Sequence, residues 1–402
     1  MVMLSIDVLL LLLSMIIVIV LSYRQVNIGL SAIVGAAILC FSFLPFFDAL
    51  MLLFKSIIDL RTIEVTLTVT FITILGFLMQ KLNIISRLMN GLKSILGDIR
   101  LIMIIGPALL GMLPTYGGAL FSAPIVDIAG SHVNINSRMK TFINVWFRHV
   151  IFFIYPLTPA IVMISGLTGI SILSIIMYMA PIFIISIVLG YMFSMRGIKR
   201  FRIDRSKNMF KDFLVCTSPI LIVVLLTFLL NIPRYLPVLA GIIISLIIGR
   251  GGINDLKHVI FRCGLQNFIL ATLGLMVFSI TISSLNVSIS IAKALSILGI
   301  PEYVIGIVLP IIIGFITGSP LTSIGLSIPI VQGITTLTSA NVSLIYAGSV
   351  LGYLASPLHL CLVLSSEYYK VKLTDTYTYI VPAIIILAFS SMATIIYLAN
   401  YI

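Results

Sequence analysis

Apolar residues in this chain come in runs of about membrane thickness, separated by short polar joints. A helix needs roughly 20 apolar residues to cross the hydrocarbon layer. Ten runs qualify, near 4–21, 27–44, 62–80, 141–167, 170–193, 213–230, 235–249, 264–286, 341–366 and 377–400. Two further apolar segments, 101–130 and 302–331, are long enough to enter and leave again. Each is interrupted midway, the first by Pro114-Thr115-Tyr116-Gly117-Gly118 and the second by Thr317-Gly318-Ser319-Pro320. Freed backbone groups are tolerated at membrane depth only where protein buries them or a wet cavity receives them. Both segments therefore read as re-entrant hairpins. The expected fold is an all-α membrane protein of about ten transmembrane helices with two re-entrant hairpins.

Amphipathic stretches precede both hairpins. Ile84–Gly97 carries Arg87 and Lys93 among leucines and isoleucines, and Ser290–Gly299 carries Lys293. Both patterns suit the membrane interface. Residues 196–212 are the most polar part of the chain and lie near its middle. They divide it into 1–195 and 213–402, each with three spans, a hairpin and two spans. Five crossings is an odd number, so the second half is expected upside down relative to the first, the inverted-repeat plan of many secondary transporters. Faint internal similarity agrees. Ser122-Ala123-Pro124-Ile125-Val126 resembles Ser327-Ile328-Pro329-Ile330-Val331 at an offset of 205, and Tyr155-Pro156-Leu157 resembles Ser356-Pro357-Leu358 at 201.

Composition narrows the class. Apolar residues make up 60% of 402 positions and charged residues 9%, against about 25% charged in a soluble domain. The net charge of +12 suggests nucleic acid only until its distribution is seen. If hairpins return to their own side, nineteen Lys and Arg fall in loops on one side, four fall on the other, and Arg148 lies within a span. Such asymmetry marks the cytoplasmic face. It predicts a multi-pass plasma-membrane protein with the central basic loop inside and both termini outside. Val8 to Leu21, preceded by Asp7, reads as a retained first span. Cys40, Cys216, Cys263 and Cys361 are far apart and read as packing or lipid-facing residues.

Candidate chemistry gathers where helices break. Pro156 and Pro159 interrupt one span and Pro357 another, at corresponding places. A proline there removes a hydrogen bond and kinks the helix. Two hairpin tips and two broken spans would meet at the midplane, offering helix N-termini to an anion and free carbonyls to Na⁺. The expected substrate-binding groups at the tips are Thr115, Gly117, Gly118 and Ser122, with Thr317, Gly318, Ser319, Thr322 and Ser323. Their simpler role is close helix packing by small residues. Asn144, Arg148, His149, Ser356 and His359 join them from the broken spans. A buried arginine costs about 2.5–3.5 kcal/mol on insertion scales and needs a cavity or a partner; Asp127 is one candidate partner. His359 can bind substrate, carry a proton or simply pack. No carboxylate pair falls at the expected midplane, no pair of the four cysteines has metal-ligand spacing, and the sequence assigns no metal site.

Three runs carry a resemblance: Leu113-Pro114-Thr115-Tyr116-Gly117-Gly118-Ala119-Leu120-Phe121-Ser122-Ala123-Pro124, Phe142-Ile143-Asn144-Val145-Trp146-Phe147-Arg148-His149, and Ser356-Pro357-Leu358-His359-Leu360-Cys361-Leu362. Together they resemble the prokaryotic membrane family called domain of unknown function 401, grouped with gluconate permeases and divalent-anion:sodium symporters in the ion transporter superfamily. The resemblance implies a secondary transporter of an organic anion and names no solute. The Ser-Asn-Thr tip signature of the dicarboxylate symporters is absent from both hairpins. The expected function is alternating-access transport of a small anionic solute coupled to Na⁺ or H⁺. The expected partners are that solute and the lipid bilayer, with a homodimer allowed and nucleic acid excluded. No cofactor is expected beyond Na⁺ as a coupling ion. A Na⁺/H⁺ antiporter or a channel is the alternative. An intramembrane enzyme is disfavoured, because His-Glu-x-x-His and Gly-x-Ser-Gly are missing, and so is an ATP pump, because no phosphate-binding loop is present.

Overall fold

Short polar caps set the helix ends throughout. Asn27 accepts a hydrogen bond from Gly29 N, Asp59 from Arg61 N and Thr62 N, Thr158 from Ile161 N, and Ser319 from Thr322 N. Proline follows Thr158 and Ser319 at the first helical position, where its missing N–H costs nothing. The structure, a computed structural model, describes residues 6–24, 26–113, 118–196, 198, 210–230, 232–285, 287 and 300–400. These form nineteen α-helices and one 3₁₀ turn, with no strand among the described residues.

The chain begins with α1 (Ile6–Tyr23), α2 (Ile28–Phe43), the short α3 (Phe46–Ile58) and α4 (Leu60–Lys81). The amphipathic α5 (Ile84–Leu96) leads into a packed pair, α6 (Ile99–Gly111) and α7 (Ala119–Ser131). Next, α8 (Ser137–Val150) passes through the 3₁₀ turn Ile151–Phe153 and a break into α9 (Pro159–Thr168), followed by α10 (Ile172–Ser194). The later helices are α11 (Phe210–Leu229), α12 (Tyr235–Gly249), the short α13 (Ile253–Arg262) and α14 (Leu265–Ser284). After them come the pair α15 (Glu302–Thr317) and α16 (Pro320–Ile334), the interrupted α17 (Ser339–Ala355) and α18 (Leu360–Tyr368), and α19 (Leu373–Ala399).

Seven segments among the described residues are long and apolar enough to cross a membrane: Ile6–Tyr23, Leu60–Lys81, Ile172–Ser194, Phe210–Leu229, Leu265–Ser284, Ser339–Tyr368 and Leu373–Ala399. Helices α2 and α12 are apolar but span only 16 and 15 residues. Large apolar side chains are exposed on the outward faces of α1, α3, α10, α11, α12 and α19, including Leu13, Phe47, Ile184, Leu225, Ile247 and Phe389. A belt of this size has no place in water and suits hydrocarbon.

Helices α3 and α13 correct the expectation of plain loops at 45–61 and 250–263. Their 13 and 10 residues are too few to register as spans. The stretch 84–97 forms α5 as expected, ended by Gly97 in the left-handed region (φ 58°). It packs on α6 and α11, and Arg87 pairs with Asp212 of α11. The second amphipathic stretch, 290–299, lies outside the described residues, as does nearly all of the basic linker and most of the first hairpin tip, including Thr115 and Gly117.

Contacts between the two halves come in matched sets. Helix α2 packs on α14 as α4 packs on α12; α9 packs on α16 as α18 packs on α7; and α8 packs on α19 as α17 packs on α10. Some of these contacts are backbone to backbone. A Cβ on Gly274 would lie 2.0 Å from Gly29 O, and one on Gly29 would lie 1.7 Å from Leu270 O, so α2 and α14 touch without side chains between them. Gly111 likewise brings α6 against Arg148 O of α8, where a Cβ would sit 1.9 Å away.

Candidate functional site

The two interrupted helices place their breaks face to face. Phe152, before the first break, stacks on Tyr353, before the second, with ring centroids 6.5 Å apart and planes 4° from parallel. The two residues are 201 apart, the offset seen at the Pro-Leu dipeptides. Main-chain groups freed by the breaks find side-chain partners. Tyr346 Oη donates to Phe152 O (2.6 Å) and lies 3.1 Å from Thr158 Oγ1. Ser356 Oγ donates to Phe315 O (2.6 Å) and accepts from Leu358 N (3.1 Å). A break whose polar groups are satisfied in this way persists at little cost.

Beside the first break lie Arg148 and His149, in the last turn of α8. Arg148 is 4% exposed, and its Nη1 is buried without a hydrogen-bond partner. The suggested partner, Asp127, is engaged elsewhere. Lys140 Nζ donates to Asp127 Oδ1 (2.7 Å) and to Ser131 Oγ (3.0 Å), which draws the buried Lys140 away from solvent. His149 Nδ1 is 2.6 Å from Val145 O. A carbonyl only accepts, so Nδ1 carries the proton and Nε2 keeps its lone pair. His149 Nε2 is 3.2 Å from His359 Nε2 and 3.4 Å from Tyr353 Oη.

Two adjoining cavities open onto this cluster. The smaller, about 200 Å³, is bordered by Gly111, Arg148, His149, Tyr353 and Cys361. The larger, about 520 Å³, runs from Asn27 and Asn267 to Gly318, Ser319 and Tyr353. Phe152, Thr158, Pro159, Phe268 and Tyr353 line both. At the outer end of the larger cavity, Asn27 Nδ2 donates to Asn267 Oδ1 (3.3 Å), joining α2 to α14. The N-terminal ends of α9 and α16 both meet the cavity, at Pro159 and Ser319. Among the described residues, no carboxylate borders either space.

Of the sequence-derived candidates, Arg148, His149 and His359 come together, and Gly318 and Ser319 line the larger cavity. The other candidates among the described residues serve local structure. Ser122 Oγ donates to Ala119 O; Asn144 Nδ2 donates to Ala119 O and Ser365 Oγ; Ser323 Oγ donates to Pro310 O and lies 3.0 Å from Ser349 Oγ. Thr317 Oγ1 donates to Ile313 O, and Thr322 contributes its N–H to the Ser319 cap. Gly118 is buried at the start of α7. Cys361, expected as an ordinary packing residue, instead borders the smaller cavity beside both imidazoles. Sequence reasoning did not single out Tyr353, Phe152, Thr158, Phe268, Asn27 or Asn267. Extending the 201-residue offset outward from Pro156 and Pro357 would have paired Phe152 with Tyr353.

Toward the other end of α14 lie a third cavity, bordered by Asp59, Arg61, Gly166 and Ser283, and a separate polar junction at Arg234. Arg234 N donates to Glu64 Oε1 (3.2 Å), and Arg234 Nη2 donates to Ser165 Oγ of α9 (2.9 Å). Burial pushes the Arg234 guanidinium below its usual pKa, and Glu64 opposes that shift.

A helical, membrane-embedded protein with paired helix breaks around a polar-ended cavity is the class these features define. Residues 5–399 match the family described as Protein of unknown function (DUF401), and the chain belongs to that family. No curated protein matches it.

Proposed function

We propose that this protein is an alternating-access secondary transporter of a small organic anion, coupled to Na⁺ or H⁺. In this reading ten spans and two re-entrant hairpins form an inverted repeat in the plasma membrane, with both termini outside. The observation that carries it is Arg148: a buried guanidinium with an unpartnered nitrogen, on the wall of a cavity bordered by no carboxylate among the described residues. A charge buried without a counterion is unstable until one arrives. Guanidinium matches a carboxylate in shape and charge. The helix starts at Pro159 and Ser319 add favourable dipole ends. The absence of a carboxylate from the cavity lining argues against a Na⁺/H⁺ antiporter.

Alternating access draws support from a break in the matched packing. Helices α9 and α16 pack against α4 and α14. Their counterparts α18 and α7 make no comparable contact with α14 and α4. In this reading the tighter packing marks the Arg234–Ser165 end as the closed one and the Asn27–Asn267 end as the one leading to the larger cavity. Rocking that exchanges these contact sets would move the opening to the other side. By the cation count, the present opening faces the cytoplasm.

Thermal unfolding of the purified protein against a panel of carboxylates, phosphate and other oxyanions, with and without Na⁺, tests the proposal. A ligand at 100 times its Kd adds about 2.7 kcal/mol of apparent stability. The expected result is stabilisation by an oxyanion that disappears in Arg148→Ala. Stabilisation by cations or amines alone would overturn it.

A further inference from the structure

His149, His359 and Cys361 stand together although just over half the chain's length separates the first from the others. Their ligand atoms all lie within 4.8 Å of one another. We propose that these three side chains bind one Zn²⁺-class divalent cation, which ties the first interrupted helix to the second. This inference is separate from the anion proposal and does not depend on it.

The first argument is tautomeric. The bond from His149 Nδ1–H to Val145 O fixes the lone pair on Nε2, aimed at the other two residues. A metal-ligating histidine characteristically holds its second nitrogen to a carbonyl or carboxylate in this way. The second is spacing. Zn–N bonds of about 2.0–2.1 Å at a tetrahedral angle place two ligand nitrogens roughly 3.3 Å apart. The two Nε2 atoms are 3.2 Å apart. One ion at that spacing can bond both Nε2 atoms with a modest turn of the rings, and the Cys361 thiol, within 4.8 Å of both, moves in to bond it at the Zn–S length of about 2.3 Å.

The third argument is unfinished hydrogen bonding. His359 Nδ1 is buried with no partner. Without a cation, a proton on His359 Nδ1 would set the two Nε2 lone pairs against each other; a cation takes both lone pairs, and Nδ1 then keeps a proton for which the described residues offer no acceptor. Imidazole with thiolate suits the borderline-soft Zn²⁺ better than Mg²⁺ or Ca²⁺, which take oxygen. On binding, Cys361 loses its thiol proton to solvent while both imidazoles stay neutral, so one proton is released per ion. Three protein ligands leave a fourth tetrahedral position, near Tyr353 Oη and the smaller cavity.

Co²⁺ titration of the chelator-treated, purified full-length protein tests this. The expected result is one Co²⁺ per chain, with intense tetrahedral visible bands and a near-ultraviolet thiolate-to-cobalt charge-transfer band, both displaced by Zn²⁺. Cys361→Ser, a conservative change that leaves the chain the same size, should elute like the wild-type protein and lose the charge-transfer band. His359→Gln should weaken Co²⁺ binding at least tenfold, whereas His258→Asn should not. Failure to bind Co²⁺, or a spectrum unchanged in Cys361→Ser, would overturn the proposal and leave a hydrogen-bonded histidine pair. In Arg148→Ala the charge-transfer band is expected to remain even if every anion effect is lost, so the two proposals fail separately.

Discussion

Arg148 and Tyr346 show opposite ways of placing polarity at a helix break. The Tyr346 hydroxyl closes two local needs, at Phe152 O and Thr158 Oγ1. Tyr346→Phe leaves those groups short of a partner in a dry site, and a loss of about 1–3 kcal/mol is expected in denaturant or thermal unfolding. Arg148 closes no need that the protein itself supplies. Arg148→Ala is therefore expected to raise the stability of the ligand-free protein, by up to the roughly 2.5–3.5 kcal/mol that a buried arginine costs on insertion scales. The same thermal measurement checks the sign, and a fall in stability would mean that a protein group neutralises the guanidinium. Arg148 and His149 were legible in sequence because a charge inside an apolar run is conspicuous. Tyr353 and Asn27 were not, because an aromatic in an apolar helix and an amide at a helix cap look ordinary until folding brings them to a cavity.

Among the elements, interruptions were easier to read than additions. Pro156, Pro159, Pro357 and the Gly318-Ser319-Pro320 corner each remove a donor or require unusual φ, and the breaks lie where those residues lie. Helix α3 was hidden because Phe46–Ile58 is apolar yet too short for a span, and only its packing on α2 and α14 distinguishes it from a loop. The contact between α2 and α14 leads to a direct expectation. In Gly274→Val the new Cβ would overlap Gly29 O, and backbone cannot step aside as a side chain can. Separating the helices should cost at least the 1–3 kcal/mol of ordinary overpacking. A lower unfolding temperature and poorer membrane yield would show it. Gly252→Ala, with open space around it, is the control expected to leave both unchanged.

For the molecule as a whole, the proposed topology puts the cavity mouth and the Arg234 junction on opposite faces of the membrane. Asn267→Cys and Arg61→Cys should therefore react with an impermeant thiol reagent from opposite sides, the first only in inside-out vesicles. Labelling of both from one side would dismantle the inverted arrangement. The half-chain offset was visible in sequence at two short matches. Its larger consequence, the exchange of contacts between halves, was not, because packing partners such as α9 with α16 share no sequence signal.

The two ends of the bundle are fastened with different chemistry. Asn27 and Arg234 begin comparable helices, α2 and α12, and Asn267 and Glu64 lie near the starts of α14 and α4. One end has an amide pair; at the other the Arg234 backbone N–H meets Glu64 of α4 and its guanidinium reaches a serine on α9. On the proposed transport cycle, such a carrier is when empty a weighted balance, tipped toward opening at the Asn27–Asn267 end because only the Arg234 end is fastened by a charged side chain. Exchanging Arg234 for asparagine would on that cycle level the scale between the two openings.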